Sequence, residues 1–187
     1  MKTNWIESPN YGDRDSDVDT VVIHYTALPL KETIEKFRDR DSGASAHYVI
    51  DRHGAIIQMV KDEDKAWHAG ESEFGGRTDV NDFSIGIELV NWGLLRQKGS
   101  RFYVWKNEWS QPYEGQMPIL SDRGYWEPYS QEQYDSLAEL LKAILTRHPS
   151  IRRERIKGHC DVCLPRARKV DPGDAFDWEM VLEAVFR

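Results

Sequence analysis

Thr20-Val21-Val22-Ile23-His24-Tyr25 is an apolar, β-branched run that reads as a strand buried within a sheet, with one polar residue, His24, near its end. A histidine on a core strand needs a partner or a role. The best partner lies far downstream. Gly158-His159-Cys160-Asp161 through Lys169-Val170-Asp171-Pro172-Gly173 packs a histidine, a lysine and an aspartate into one turn-rich segment. Pro165, Pro172 and Gly173 break helix and strand geometry there, so the segment reads as a loop, where a rigid scaffold usually presents chemistry. Strand and loop together read as two halves of a metal-dependent hydrolytic site.

Outward from the strand, an extended arm (4–19) precedes it and a helix near Leu30 to Arg40 follows, with Leu30, Ile34 and Phe37 on one face. Ala46 to Asp51 and Ala55 to Lys61 flank Arg52-His53-Gly54, which predicts a β-hairpin lying beside the first strand. Ser84 to Trp92 is the next strand; Ile85, Ile87 and Leu89 alternate with Gly86, Glu88 and Val90, so Glu88 projects from the face opposite Ile87. Residues 93–129, rich in Tyr, Trp, Pro and Gly, show little period and read as an elaborated loop with short strands. It holds Tyr103, Trp105, Trp109, Tyr113, Tyr125 and Trp126. Gln131 to His148 carries the apolar stripe Tyr134, Leu137, Leu141, Ile144 and Leu145 behind a Ser130 N-cap, and a last helix starts near Asp177. The order predicts one α/β domain over residues 1–187, a mixed central β-sheet flanked by helices.

A length of 187 residues suits one domain with a sizeable core. The net charge of −7 and pI near 5.4 lack the basic footprint of a nucleic-acid binder. No run reaches membrane-spanning length, and Met1 to Asn10 lacks the apolar core of a signal peptide, so synthesis in the cytoplasm without a membrane span is the expectation, with export by another route left open; a monomer is also expected. Cys160 and Cys163 form a C-x-x-C after His159, but no second pair of Cys or His at comparable spacing accompanies them, so they read as two reduced thiols.

Five blocks carry a family resemblance: Val22-Ile23-His24-Tyr25-Thr26, Ser45-Ala46-His47-Tyr48-Val49-Ile50, Ala66-Trp67-His68-Ala69-Gly70, Asn81 through Leu89, and Gly158-His159 through Lys169-Val170-Asp171-Pro172-Gly173. In this order they resemble the zinc-dependent N-acetylmuramoyl-L-alanine amidases, the AmpD-type enzymes with their phage and peptidoglycan-recognition relatives. The resemblance implies cleavage of the amide between the lactyl group of N-acetylmuramic acid and L-alanine, with peptidoglycan or muropeptides as substrate. It implies Zn2+ on His24, His159 and Asp171, a catalytic Glu88 and a catalytic Lys169.

The chemistry agrees with that assignment. Hydrolytic zinc takes three His or carboxylate ligands and leaves a fourth position open, while a glutamate accepts the water's proton and a lysine offsets oxyanion charge. Taken singly, each residue has an ordinary reading: a satisfied core histidine, a turn aspartate before proline, a solvated lysine. Their joint occurrence in family order favours the site. Tyr25, His47, Trp67, His68, Arg77, Asn81 and Arg168 are expected on the substrate side, with Arg168 suited to gripping a carboxylate. The segment between His24 and His47 is short against the cytosolic AmpD enzymes and resembles the broader-specificity branch that accepts intact wall; conversely, Leu94 to Pro128 is longer than the compact family core. The alternative from another class is a non-catalytic muropeptide-binding module of the same fold, which would be expected to have lost a zinc ligand.

Overall fold

The structure, a computed structural model, describes residues 2–104 and 111–187. In chain order come strands β1 (Thr3–Trp5), β2 (Tyr11–Gly12) and β3 (Thr20–Tyr25), helix α1 (Leu30–Arg38), and strands β4 (Tyr48–Ile50), β5 (Ile56–Gln58) and β6 (Lys65–Ala66). A ribbon of β7 (Glu73–Phe74) and β8 (Arg77–Thr78) leads into β9 (Ser84–Leu89). Then follow β10 (Leu94–Lys98), β11 (Arg101–Tyr103), β12 (Ile119–Ser121) and β13 (Gly124–Trp126). The chain closes with α2 (Gln131–Arg147), β14 (Ile156–Gly158), the single turn α3 (His159–Val162) and α4 (Trp178–Phe186).

The period-two pattern of β3 and β9 sorts their side chains onto two faces. Val21, Ile23, Ile85, Ile87 and Leu89 join the core formed with Leu137, Leu140, Leu141 and Ile144 of α2. These four α2 residues are fully buried, and burying each contributes about 1.5–3 kcal/mol, which is what clamps α2 to the sheet. Ser130 caps α2 in a reciprocal capping box with Gln133. Val22, His24, Gly86 and Glu88 are left for the opposite face, where Phe37 of α1 packs with Val49, Ile57 and Met59, and Val22 packs with Ala69, Phe83 and Val162.

The main sheet has six strands in the order β1-β5-β4-β9-β3-β14. Only the β4–β5 hairpin is antiparallel; β1–β5, β4–β9, β9–β3 and β3–β14 are parallel. The hairpin therefore lies beside β9 and not beside β3 as the sequence order suggested. Strand β3 already has both edges taken, by β9 and by β14. That last strand is absent from the sequence reading, since Arg153, Glu154, Arg155 and Lys157 dilute its apolar signal and only pairing with Val21–Ile23 makes it a strand. The extended arm also forms strands, β1 against β5 and β2 against β6.

Among the described residues of 93–129, the short strands pair in the order β11-β10-β13-β12 as a four-stranded antiparallel sheet. Leu95, Val104 and Trp126 are buried within or beneath it. Trp105 and Trp109 lie outside the described residues. Among the described residues, no helix is long and apolar enough to cross a membrane.

Candidate metal centre and cleft

Three parallel strands, β3, β9 and β14, run their carboxyl ends to one place, the usual location for a ligand site in such sheets. His24 stands near the end of β3, Glu88 near the end of β9, and His159 begins α3 directly after β14. The 159–171 loop then returns Asp171 to the same spot. It is held there from both sides: the Cys160 amide donates to the Asp171 carbonyl at 3.1 Å, and the Tyr129 hydroxyl donates to the Pro172 carbonyl at 2.7 Å. A Cβ on Gly158 would sit 2.6 Å from Pro172 Cδ, so only glycine lets the two segments meet.

His24 Nδ1 lies 3.0 Å from Asp171 Oδ2 and 3.1 Å from His159 Nδ1, and the triangle closes at 3.1 Å between His159 Nδ1 and Asp171 Oδ2. The edge of a tetrahedron around a metal with ordinary nitrogen and oxygen bond lengths is about 3.3 Å, so the three atoms need open only slightly. The donor chemistry fits as well. His159 Nε2 faces the Ala69 carbonyl at 3.0 Å, and a carbonyl only accepts; the neutral ring therefore carries its proton there and presents a bare Nδ1. All three residues are buried, at 1, 5 and 6% exposure for His24, His159 and Asp171. Burial presses His24 down to about 4, so its ring is neutral, as a ligand must be. Burial opposes ionisation of Asp171, but its contacts with His159 and His24 outweigh it and hold the carboxylate well below its ordinary range. Among the described residues, these three are the only His, Cys, Asp or Glu group placed to share an ion.

The triad floors a cleft of about 460 Å³ also lined by Tyr25, Trp67, His68, Glu88 and Lys169. Glu88 is half-buried, with Oε2 sealed from solvent and unbonded among the described residues. Burial, then the Asp171 charge, raises its carboxyl to about 8 in the absence of a cation. Lys169 is exposed at the rim. Lys36, at the end of α1, also lines the cleft and acts on Glu88 electrostatically; its sequence context, a charged helix face, held no signal for this.

Other expected site residues fall differently. His47 is fully enclosed: its Nδ1 accepts from the Gly86 amide, and its Nε2 faces Arg14 and the Asp64 carbonyl, each at 3.0 Å, so it offers a ligand no surface. Arg77 pairs with Asp19 and stacks on Phe83 beside the amino end of β3, the end opposite His24. Asn81 is buried, its Oδ1 accepting the amides of His68 and Ala69 at 3.1 and 2.8 Å, so it shapes the cleft wall from behind. Arg168 reaches the cleft, but its guanidinium is spent on the carbonyls of Leu164, Glu71 and Ala69, which staples the metal loop to the 69–71 segment. Cys160 and Cys163 are free thiols outside the triad, and burial pushes Cys160 up to about 11. Arg14, missed in the sequence, spreads its guanidinium over the carbonyls of Asp64, Asn81, Asp82 and Ser84, tying the arm to the start of β9.

A family model described as N-acetylmuramoyl-L-alanine amidase matches residues 14–174. The chain is 36% identical to the 1,6-anhydro-N-acetylmuramyl-L-alanine amidase AmpD of Haemophilus influenzae, over 96% of this chain and 90% of that protein. It is 31% identical to the N-acetylmuramoyl-L-alanine amidase AmiD of Escherichia coli, over 89% of this chain and 52% of that protein. Among solved structures it is similar to an AmpD, with a TM-score of 0.72, 30% identity and coverage of 99% of this chain and 95% of that one. It is also similar to AmiD from E. coli solved in complex with anhydro-N-acetylmuramic acid-L-Ala-D-gamma-Glu-L-Lys, with a TM-score of 0.69, 28% identity and coverage of 91 and 59%. On fold, site and similarity together, the chain belongs to the N-acetylmuramoyl-L-alanine amidase family.

Proposed function

We propose that this chain is a zinc-dependent amidase that hydrolyses the amide joining the lactyl group of N-acetylmuramic acid to L-alanine in muropeptides or peptidoglycan. The observation that carries the reading is the convergence of His24 Nδ1, His159 Nδ1 and Asp171 Oδ2 within 3.1 Å of one another, in a cleft shared with Glu88, whose Oε2 makes no hydrogen bond among the described residues. A zinc ion on these three atoms would supply a Lewis acid that polarises the scissile carbonyl and acidifies water.

The chain's own residues do the rest. Glu88 takes a proton from the attacking water and returns it to the L-alanine nitrogen as the carbon–nitrogen bond breaks. Lys36 and Lys169 already oppose the rise of the Glu88 carboxyl to about 8, and a dication held by the three ligands would lower it further, so that Glu88 enters the reaction ionised. Lys169, at the rim, offsets the charge that develops on the carbonyl oxygen. Trp67, 37% exposed, offers a ring face to the sugar and lactyl group, and Lys36 offers a charge partner for a stem-peptide carboxylate. A binding-only module of this fold has no use for a carboxylate left unbonded, among the described residues, in the cleft of the triad.

Mass spectrometry of products from a panel of muropeptides, with and without the 1,6-anhydro ring, tests the reading. The zinc-loaded protein should release stem peptides beginning with free L-alanine. Binding without cleavage across the whole panel would leave the module reading in its place.

A further inference from the structure

The proton arrangement behind His24 is dictated from a backbone carbonyl. Ser84 Oγ lies 2.6 Å from the Val80 carbonyl oxygen, which only accepts, so the Ser84 hydroxyl donates there. With its one proton used, Ser84 Oγ must accept from His68 Nε2, 3.2 Å away. The neutral His68 ring then has a bare Nδ1, which faces His24 Nε2 at 3.0 Å. His24 therefore donates from Nε2, and the lone pair of its Nδ1 is free on the side of His159 and Asp171. Running every bond the other way would put a proton on His24 Nδ1 and leave two oxygens at 2.6 Å with no hydrogen between them. That arrangement loses.

We propose that His68 and Ser84 are positioning residues that set the tautomer and ring orientation of the metal ligand His24, so that the site is poised for zinc before zinc arrives. The inference rests on the metal reading above and deepens it. It also changes the part assigned to His68, from a side chain that touches substrate to one that acts through His24.

The surrounding sequence is built for this relay. Ser84, Gly86 and Glu88 share one face of β9, at two-residue spacing. Ser84 anchors the His68 ring and Glu88 reaches the cleft. Gly86 makes room between them, since a Cβ there would sit 2.4 Å from His68 Cγ. Asn81 fixes the His68 backbone through the two amides it accepts. All the donors and acceptors of the chain are buried: His24 at 1%, His68 at 9% and Ser84 at 0% exposure. Water is therefore not positioned to substitute for a lost member.

The test reads proton position and metal affinity, not turnover. Long-range proton–nitrogen correlation spectra of the metal-free wild-type protein at neutral pH should show His24 protonated at Nε2 and His68 protonated at Nε2. Ser84→Ala and His68→Gln should lower zinc affinity by roughly 10–100-fold in competition with a chromophoric chelator, the range for residues that orient metal-bound histidines. Ser84→Ala should also give His24 a mixed tautomer population. A His24 protonated at Nδ1 in the wild-type spectrum overturns the proposal even if neither variant folds. So do folded variants with unchanged tautomer and zinc affinity. Wild-type protein that binds no zinc would instead sink the metal reading, a distinguishable result.

Discussion

His24 and Glu88 are register partners across the parallel β3–β9 pair and project from the same face of the sheet. Adjacent strands lie about 4.8 Å apart, so proposed metal ligand and proposed base are set side by side by the main-chain ladder, with no loop between them to be ordered. Chemistry and assembly become separable by mutation. Glu88→Gln should keep one zinc per chain and wild-type thermal stability yet lower kcat roughly a hundredfold, a typical general-base contribution. Wild-type kcat in that variant would assign the base role elsewhere.

Metal content tests the ligand set directly. Elemental analysis of the purified protein should give about one zinc per chain, removable by a strong chelator and restored on adding zinc. His24→Ala and Asp171→Ala should lose the metal. Cys160→Ser combined with Cys163→Ser should retain it, because neither thiol belongs to the triad. Zinc lost with the cysteines contradicts the assignment.

Gly86→Ala probes the close approach of β9 to His68. The added methyl would sit 2.4 Å from the ring, and the ring is walled in by His24, Ser84 and the backbone tied to Asn81. The variant should be destabilised by about 1–3 kcal/mol, as overpacked cores are, and should bind zinc more weakly. Chemical denaturation and chelator competition read the two effects separately. Unchanged values in both would mean that the ring has another place to go.

Asp62 predicts a pH dependence of stability remote from the metal. It accepts from the Tyr48 hydroxyl at 2.5 Å and from Arg147 Nε at 2.8 Å. Burial favours its protonated form, but those bonds and the Arg147 charge outweigh burial and hold it below 3.8. A carboxylate with a depressed folded value contributes stability above its unfolded value and loses it as pH falls through the folded one. Asp62→Asn should therefore cost about 1–3 kcal/mol at pH 7, and its deficit against wild type should shrink below pH 3.8. A deficit of equal size at pH 3 and pH 7 would show that Asp62 carries no such linkage.

Trp126 links the second sheet to the metal loop. It is 1% exposed, its Nε1 donates to Ser121 Oγ, and its ring lies so close to Gly173 that a Cβ there would sit 2.4 Å away. Trp126→Ala should cost about 3–5 kcal/mol in denaturation experiments. Because Gly173 follows Asp171 closely, zinc affinity should fall too. A large stability loss with unaltered zinc affinity would show that the second sheet serves the core alone.

The sequence by itself determined the elements whose signal is local. A continuous apolar run marked β3, alternation in β9 separated the helix-facing Ile87 from Glu88, and a Ser130 cap with an apolar stripe marked α2. Residue type and order were enough to bring forward His24, Glu88, His159, Lys169 and Asp171, which line one cleft in the structure. What depended on partners far along the chain was decided only by the tertiary structure. Strand β14 exists because β3 has an open edge, and the hairpin lies beside β9 because that edge of β3 is filled. His47, His68, Arg77, Asn81 and Arg168 look alike in sequence as polar residues near a site. Burial and bonding separate them into an enclosed support, a relay, an ion-pair partner at the wrong end of the sheet, a backbone clamp and a loop staple. A side chain's role follows from which donors and acceptors surround it, and those come from segments that meet only when the chain is folded.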